Sequence, residues 1–274
     1  MNSGTISVLG CGWLGVPLTK HLQKSGFSVK GSTTSSEKCE ILERDGILST
    51  RVLLNENEAI VDDFQFFNCD VLIISIPPRR IEGIEHIFSA QIAQLIPLIL
   101  KYKISKVLFI SSTSVYPESG MTAREEVELS PDKESGKALL LAEYILNKEK
   151  DFKTTNLRFG GLIGADRNPA RFLINSARPV AYIPVNLIHQ EDCIGIISAI
   201  IEQELWGETL NACCPDHPYK KDFYGKAALL SGLPEPLISE EMESFQIVDS
   251  TTLIRMLNYQ FIYNSPMDYL DNIR

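Results

Sequence analysis

The chain has 274 residues, 44% of them hydrophobic and 22% charged, with a formal net charge of −9. That is enough chain for one large α/β domain, or one with a smaller lobe attached, and its composition is that of an ordinary globular protein. No block of Lys or Arg offers the clustered positive charge that neutralises phosphates, so a nucleic-acid surface is not expected.

In chain order, Thr5–Leu9 reads as a strand and Val16–Ser25 as a helix carrying Leu18 and Leu22, with the chain reversing at Gly26. Phe27–Gly31 is a second strand. Asp70–Ile76 is a continuous apolar run, the pattern of a strand buried on both faces of a parallel sheet. A helix follows over Ser89–Tyr102, kinked near Pro97, then a buried strand at Lys106–Ser111, a helix at Gly136–Lys148 and a strand at Thr154–Phe159. Beyond Gly160 the pattern becomes irregular, with helices expected at Glu191–Gln203 and Lys221–Ser231. Strands alternating with helices predict an α/β fold, a doubly wound parallel sheet. The expected organisation is a nucleotide-binding domain over 1–160 and a small C-terminal lobe over 161–274 that covers a substrate, partly interleaved with the first domain.

Gly10-Cys11-Gly12-Trp13-Leu14-Gly15 follows the first strand and opens the first helix. This G-x-G-x-x-G spacing has a mechanical reading in that context. Gly10 permits the tight turn, Gly12 lets backbone approach a pyrophosphate, and Gly15 lets the helix pack closely on the strand. The helix N-terminus then presents N–H groups and a positive dipole to the anion. The loop predicts a Rossmann domain binding NAD or NADP, with Trp13 and Leu14 contributing to the phosphate loop. NAD sites usually carry an acid at the tip of the second strand, on the ribose 2′-hydroxyl. Here the tip reads Ser32-Thr33-Thr34, with Lys30 and Lys38 nearby, so NADP is the expected cofactor and NAD the alternative. The competing reading of these hydroxyls is that they cap the next helix.

Four segments carry a resemblance. Ser111-Ser112-Thr113-Ser114-Val115-Tyr116-Pro117, Leu157-Arg158-Phe159 through Gly164, Ile188-His189-Gln190-Glu191-Asp192 and Asn211-Ala212-Cys213 resemble motifs of the extended short-chain dehydrogenases/reductases. The resemblance is to their sugar-nucleotide epimerase/dehydratase group, in an atypical form, and spans nearly the whole chain. It implies an NAD(P)-dependent epimerase, dehydratase or reductase in which Ser112 contacts the reacting oxygen. It also implies a Tyr-x-x-x-Lys pair that this chain departs from. Aligning the acid of that motif with Glu143 places Ser135 at the Tyr position and Leu139 at the Lys position. A literal Tyr-x-x-x-Lys does occur at Tyr144 and Lys148, nine residues further along. At 1.5 Å per residue that is a displacement of roughly 13 Å, toward the edge of the sheet away from the ligand. Tyr144 and Lys148 are therefore read as a decoy.

The remaining candidates for chemistry are Ser112, Thr113 and Tyr116, although a Tyr in that position is more often a packed aromatic with its hydroxyl satisfied. Ile76, Pro77 and Pro78 end the strand that should pass the cofactor. Arg79, Arg158, Arg171 and His189 are the candidate substrate-binding residues, with Arg80 and Arg167 also in loops after strands, which favours an acidic or phosphorylated small molecule. Six cysteines and four histidines lack metal-ligand spacing, so no metal site is expected. The cysteine pattern, the absence of a run of roughly 18 apolar residues and the lack of a leader predict a cytoplasmic protein with no membrane partner. A monomer or homodimer is expected. The alternative to an enzyme is a non-catalytic NAD(P)-binding sensor or scaffold, since the phosphate loop is kept while the acid/base pair is missing.

Overall fold

The computed structural model describes residues 4–170, 179–239 and 244–272. In chain order the elements are β1 (Thr5–Leu9), α1 (Gly15–Lys24), β2 (Ser28–Thr33), α2 (Ser36–Arg44), β3 (Leu48–Leu54), β4 (Ala59–Val61), β5 (Val71–Ile74), α3 (Ile84–Ala93), α4 (Ile96–Lys101), β6 (Lys106–Ser112), β7 (Thr122–Ala123) and α5 (Glu134–Lys148). They continue with β8 (Lys153–Phe159), β9 (Gly161–Ile163), β10 (Leu187–His189), α6 (Gln190–Glu202), β11 (Thr209–Ala212), α7 (Lys220–Leu230), β12 (Ile247–Val248), α8 (Thr251–Leu257) and α9 (Pro266–Asn272). The chain forms two compact units. One is built from Met1–Val115, Ser130–Arg158 and Ile200–Thr209, the other from Tyr116–Leu129, Phe159–Ala199 and Leu210–Arg274.

The sheet has eight strands in the order β11-β8-β6-β5-β1-β2-β3-β4. Its β1–β2, β1–β5, β2–β3 and β5–β6 pairs are parallel, and the short β4 adds antiparallel to β3. Every residue of β5 is buried, and so are Ile6 through Leu9 of β1, as the unbroken apolar runs require of strands covered on both faces. After β1 the chain winds toward β2 on one side, and β5 lies on the other. Ligands of doubly wound sheets bind where the winding reverses in this way, outside the carboxyl ends of the strands.

Among the local features that differ from the sequence expectation, three bear on the site. The helix expected over Ser89–Tyr102 starts earlier and is two helices, α3 and α4, with Pro97 in the first turn of α4. Proline lacks the N–H a continuing helix would need, but fits the first turn of a new one. Helix α2 was anticipated only as the helix the nearby hydroxyls would cap, with no range given to it. It buries only Leu42, so its periodicity is weak, and Ser35 sets its start by accepting the Lys38 N–H on its hydroxyl at 3.3 Å. Strand β3 went unpredicted, although Val52 and Leu54 carry alternating burial.

The second unit pairs β9 with β10 and β7 with β12, both parallel. Its core gathers Ile163, Ala170, Val185, Phe223, Tyr269 and Leu270. Asp192, fully buried in the first turn of α6, accepts the Ile262 N–H at 2.8 Å, the Tyr263 N–H at 3.2 Å and the Tyr259 hydroxyl at 3.1 Å. These bonds compensate burial of a group that otherwise resists leaving water, and burial still raises its pKa above the ordinary carboxylate value.

Candidate functional site

The phosphate loop lies at the reversal point, between the ends of β1 and β5. Gly10 has φ +107°, and a Cβ on it would stand 2.7 Å from the Ser75 carbonyl oxygen. A Cβ on Gly15 would meet the Gly10 carbonyl oxygen at 2.2 Å. Both positions therefore require glycine for the chain itself to close. Gly12 differs: a Cβ there would meet nothing within 4 Å. A glycine that no protein atom demands leaves open a cradle at the start of α1, as an approaching pyrophosphate needs. Leu14 is 6% exposed, so it joins the loop through its main chain while its side chain packs inward; Trp13 is half-buried.

Beside the loop the first unit holds a cavity of about 270 Å³, lined by Gly10, Ser32, Thr33, Thr34, Ile76 and Pro77, six of the expected cofactor residues. Its remaining wall is largely apolar, from Leu9, Val52, Leu53, Leu54 and Phe88, with Gln91 and Arg79 at its border. Sequence reasoning missed Val52, Leu53, Leu54, Phe88 and Gln91, because β3 was not identified; the apolar alternation over Leu48–Leu54 was the available signal. A cavity of roughly 150 Å³ already holds a benzene ring, so this one has room for a nucleobase-sized ring. Asn55, next to the lining residue Leu54, has a buried side-chain oxygen with no hydrogen-bond partner. Pro78 follows Pro77 and is half-buried.

The β2 tip is held by the loop. Ser32 accepts the Gly10 N–H on its hydroxyl at 3.1 Å, and its carbonyl accepts the Cys11 N–H at 2.7 Å. Lys30 is committed elsewhere: its ammonium donates to the carbonyls of Gln65 and Asn68, at 2.5 and 2.7 Å. Lys38 is exposed in the first turn of α2, and Arg51, the register partner of Thr33, pairs with both oxygens of Asp62 at 2.9 and 3.0 Å.

After β6, Ser112 accepts the Ser114 N–H on its hydroxyl at 3.2 Å, which leaves its own proton to donate, and Thr113 is 6% exposed. Ser111 donates to Glu143 at 2.5 Å, and Arg158 donates to the same carboxylate at 3.0 and 2.6 Å. All three side chains are buried. Arg158 was expected to face a substrate; instead its guanidinium is locked onto Glu143, because an Arg buried to 4% exposure needs a charged, hydrogen-bonded partner. Three elements, β6, α5 and β8, are joined by this pair. On α5, Leu139 is 5% exposed and Ser135 half-buried, whereas Tyr144 is 64% exposed.

Tyr116 and His189 lie in the second unit. Tyr116 is 2% exposed and donates its hydroxyl to Asn211 at 2.7 Å. His189 ends β10 between Tyr263 and Tyr269, ring centroids 4.4 and 4.6 Å away. Its Nδ1 accepts the Glu191 N–H at 3.3 Å, and its buried Nε2 has no hydrogen-bond partner. Burial lowers its pKa, keeping the ring neutral. Arg171 lies outside the described residues. Arg80 and Arg167 are exposed. Among the described residues no group of three or more His, Cys, Asp or Glu could hold a metal ion, and no helix is long and apolar enough to cross a membrane.

Solved structures share this architecture. UDP-glucuronic acid 4-epimerase from Bacillus cereus, in complex with NAD, matches with a TM-score of 0.78 at 19% identity, over 97% of this chain and 96% of that one. UDP-N-acetylglucosamine 4-epimerase from the same organism matches with a TM-score of 0.76 at 18% identity, over 98% and 97%. The large, mostly parallel Rossmann-like sheet is the fold of these NAD-dependent epimerase/dehydratase neighbours, members of the short-chain dehydrogenase/reductase superfamily. No protein-family model matches the chain. In sequence it is 31% identical over 267 residues to Protein YeeZ of Escherichia coli strain K12, covering 96% of this chain and 97% of that protein. The chain belongs to the YeeZ family.

Proposed function

We propose that this protein is an NAD(P)-dependent enzyme of the epimerase, dehydratase or reductase type, acting on a sugar-like or acidic small metabolite. The observation that carries this reading is Gly12, a loop glycine with no protein atom to make room for, beside a ring-sized apolar cavity. Both features fit a dinucleotide: α1 takes the pyrophosphate, and Leu9, Val52, Leu54 and Phe88 enclose the base. When bound, the nicotinamide accepts and returns hydride.

The chain's own groups then divide the remaining work. Ser112 keeps a proton to donate and orients a substrate oxygen, with Thr113 beside it in sequence. Tyr116 donates its hydroxyl hydrogen bond to Asn211, so a role in acid–base chemistry would require it to exchange that bond. Arg79 borders the dinucleotide cavity, which assigns it to the cofactor before the substrate. His189 offers a neutral ring with its Nε2–H unclaimed, a donor for a substrate acceptor. NADP is the preferred form, because Ser32, Thr33 and Thr34 put no carboxylate at the β2 tip and Lys38 is exposed in the first turn of the following helix. Lys30 does not contribute, since its charge is held by the Gln65 and Asn68 carbonyls.

A second reading, a non-catalytic NAD(P) sensor or scaffold, is favoured by one observation. Aligned on Glu143, the motif of the resembled enzymes has its Tyr at Ser135 and its Lys at Leu139, which is buried here. Titrating the protein with NADPH and NADH, following nicotinamide fluorescence, tests both readings. The expected result is binding that favours NADPH and is lost in Gly12→Asp. Hydride transfer with sugar or acid substrates then selects the enzyme. Binding without turnover across such substrates selects the sensor, and failure of both nucleotides at millimolar concentration removes both.

A further inference from the structure

The second unit contains a cavity of about 170 Å³ that the cofactor reading does not use. Helix α7 supplies Lys220 and Tyr224 to its wall; Ser244, Phe245 and Glu118 supply others. Lys220 makes no ion pair or hydrogen bond through its ammonium among the described residues, and the Tyr224 hydroxyl likewise has no acceptor among them. Burial pushes the Tyr224 phenol pKa up, which keeps its proton available for donation. Glu118, by contrast, is already engaged. Two half-buried residues lining the cavity, a lysine and a tyrosine whose ammonium and hydroxyl have no partner among the described residues, carry groups that a ligand would complete.

The walls are tied together by hydrogen bonds. Lys220 donates its N–H to the Ile183 carbonyl at 2.8 Å, and Val185 donates to that of Pro218 at 2.9 Å. Tyr182 and Tyr219, stacked at 4.5 Å and 4° beside this wall, clamp the same two segments. Opposite, Asn186 donates to the Gln246 carbonyl at 2.8 Å and accepts the Val248 N–H at 2.9 Å, and Gly120 donates to the Phe245 carbonyl at 2.7 Å. A pocket held open by its own hydrogen bonds costs a ligand little ordering on binding.

We propose that this cavity binds a single six-membered ring bearing one carboxylate or phosphate: Lys220 takes the anion, Tyr224 and Ser244 take ring hydroxyls, and Phe245 covers the apolar face. The volume sets the size, since roughly 150 Å³ accommodates one six-membered ring. The unpaired ammonium, at the start of a helix whose dipole also favours negative charge, sets the sign. The site therefore takes a sugar acid or sugar phosphate, held by its acidic group, independently of the cofactor.

Calorimetric titration of the full chain with glucuronate, glucose phosphate, glucose and inorganic phosphate tests this, with NADPH titrated in parallel. The two anionic sugars should bind at least about tenfold more tightly than glucose or inorganic phosphate, a charge-assisted hydrogen bond being worth about 1.5–3 kcal/mol. Whichever binds more tightly tells carboxylate from phosphate. Lys220→Met should erase the preference for the anionic sugars while leaving NADPH affinity unchanged. Tyr224→Phe should weaken both anionic sugars about fivefold, as loss of one neutral hydrogen bond does. No binding by either anionic sugar, an unchanged preference in Lys220→Met, or inorganic phosphate binding as tightly as glucose phosphate would overturn the proposal. Loss of NADPH binding alone would instead count against the enzyme reading and leave the cavity's ligand standing.

Discussion

Gly12 and Gly15, three residues apart in one loop, are glycine for different reasons. A side chain at Gly15 would collide with backbone at 2.2 Å, whereas one at Gly12 would point into empty space. Gly15→Ala is therefore expected to destabilise the fold by about 1–3 kcal/mol, the usual range for forced overpacking. Gly12→Val should change stability little but weaken NADPH binding about 100-fold, by displacing a charge-assisted phosphate contact. Urea unfolding and nicotinamide fluorescence separate the two effects. If Gly12→Val unfolds the protein while Gly15→Ala does not, the loop is serving the chain and not a ligand. The sequence pattern identified both glycines, since their spacing follows from a strand, a turn and a helix that are all local. It also gave them different roles, Gly12 for a pyrophosphate and Gly15 for packing, because the atoms a side chain at Gly15 would meet, on Gly10 and Val8, belong to the same loop and strand.

Among the elements, α5 shows how motif matching needs geometry. Its Tyr144 and Lys148 have the spacing of a catalytic pair, yet Tyr144 is exposed to solvent, and the helix is held by Glu143 at the next position. The Glu143 carboxylate joins Ser111 on β6 to Arg158 on β8. Replacing it by Gln leaves a buried guanidinium without its counter-charge, and removing one partner of a buried pair costs about 3–5 kcal/mol. Glu143→Gln should lower the urea midpoint accordingly, while Glu134→Gln, a helical neighbour whose Lys137 contact is exposed, should leave it within about 0.5 kcal/mol. Equal effects from the two would mean that the pair does not pin the sheet. Elements with strong apolar periodicity, β1, β5 and β6, were legible within a residue or two. Helix α2 and strand β3 were not, because their stability comes from what covers them and not from their own pattern.

Across the whole molecule, pH acts through the second unit's histidines. His189 and His217 both have pKa values lowered by burial. The unfolded chain then takes up protons below about pH 6.5 before the native state does. Stability should therefore be complete above that value and fall as pH drops through it toward the folded pKa values. Urea midpoints measured at steps between pH 7.5 and 5 check this, with a His189→Gln, His217→Gln double variant expected to flatten the dependence. Asp192, whose buried carboxyl is shifted upward, acts in the opposite sense, so the difference between wild type and variant is the quantity to compare. No difference across that range would show that neither ring resists protonation.

By itself the sequence determined the alternation of strands and helices, the glycine loop and its place after the first strand, and the resemblance that comparison then placed in the YeeZ family. These are properties of local periodicity and short spacing, which each segment carries without its neighbours. The tertiary structure alone decided where the charges went. Lys30 went to two carbonyls, Arg158 to Glu143 and the Tyr116 hydroxyl to Asn211, while Lys220 came to line a cavity. The physical reason is that a charged or polar side chain acquires its role from the partner that compensates its burial, and that partner is brought to it by the fold from a distant part of the chain.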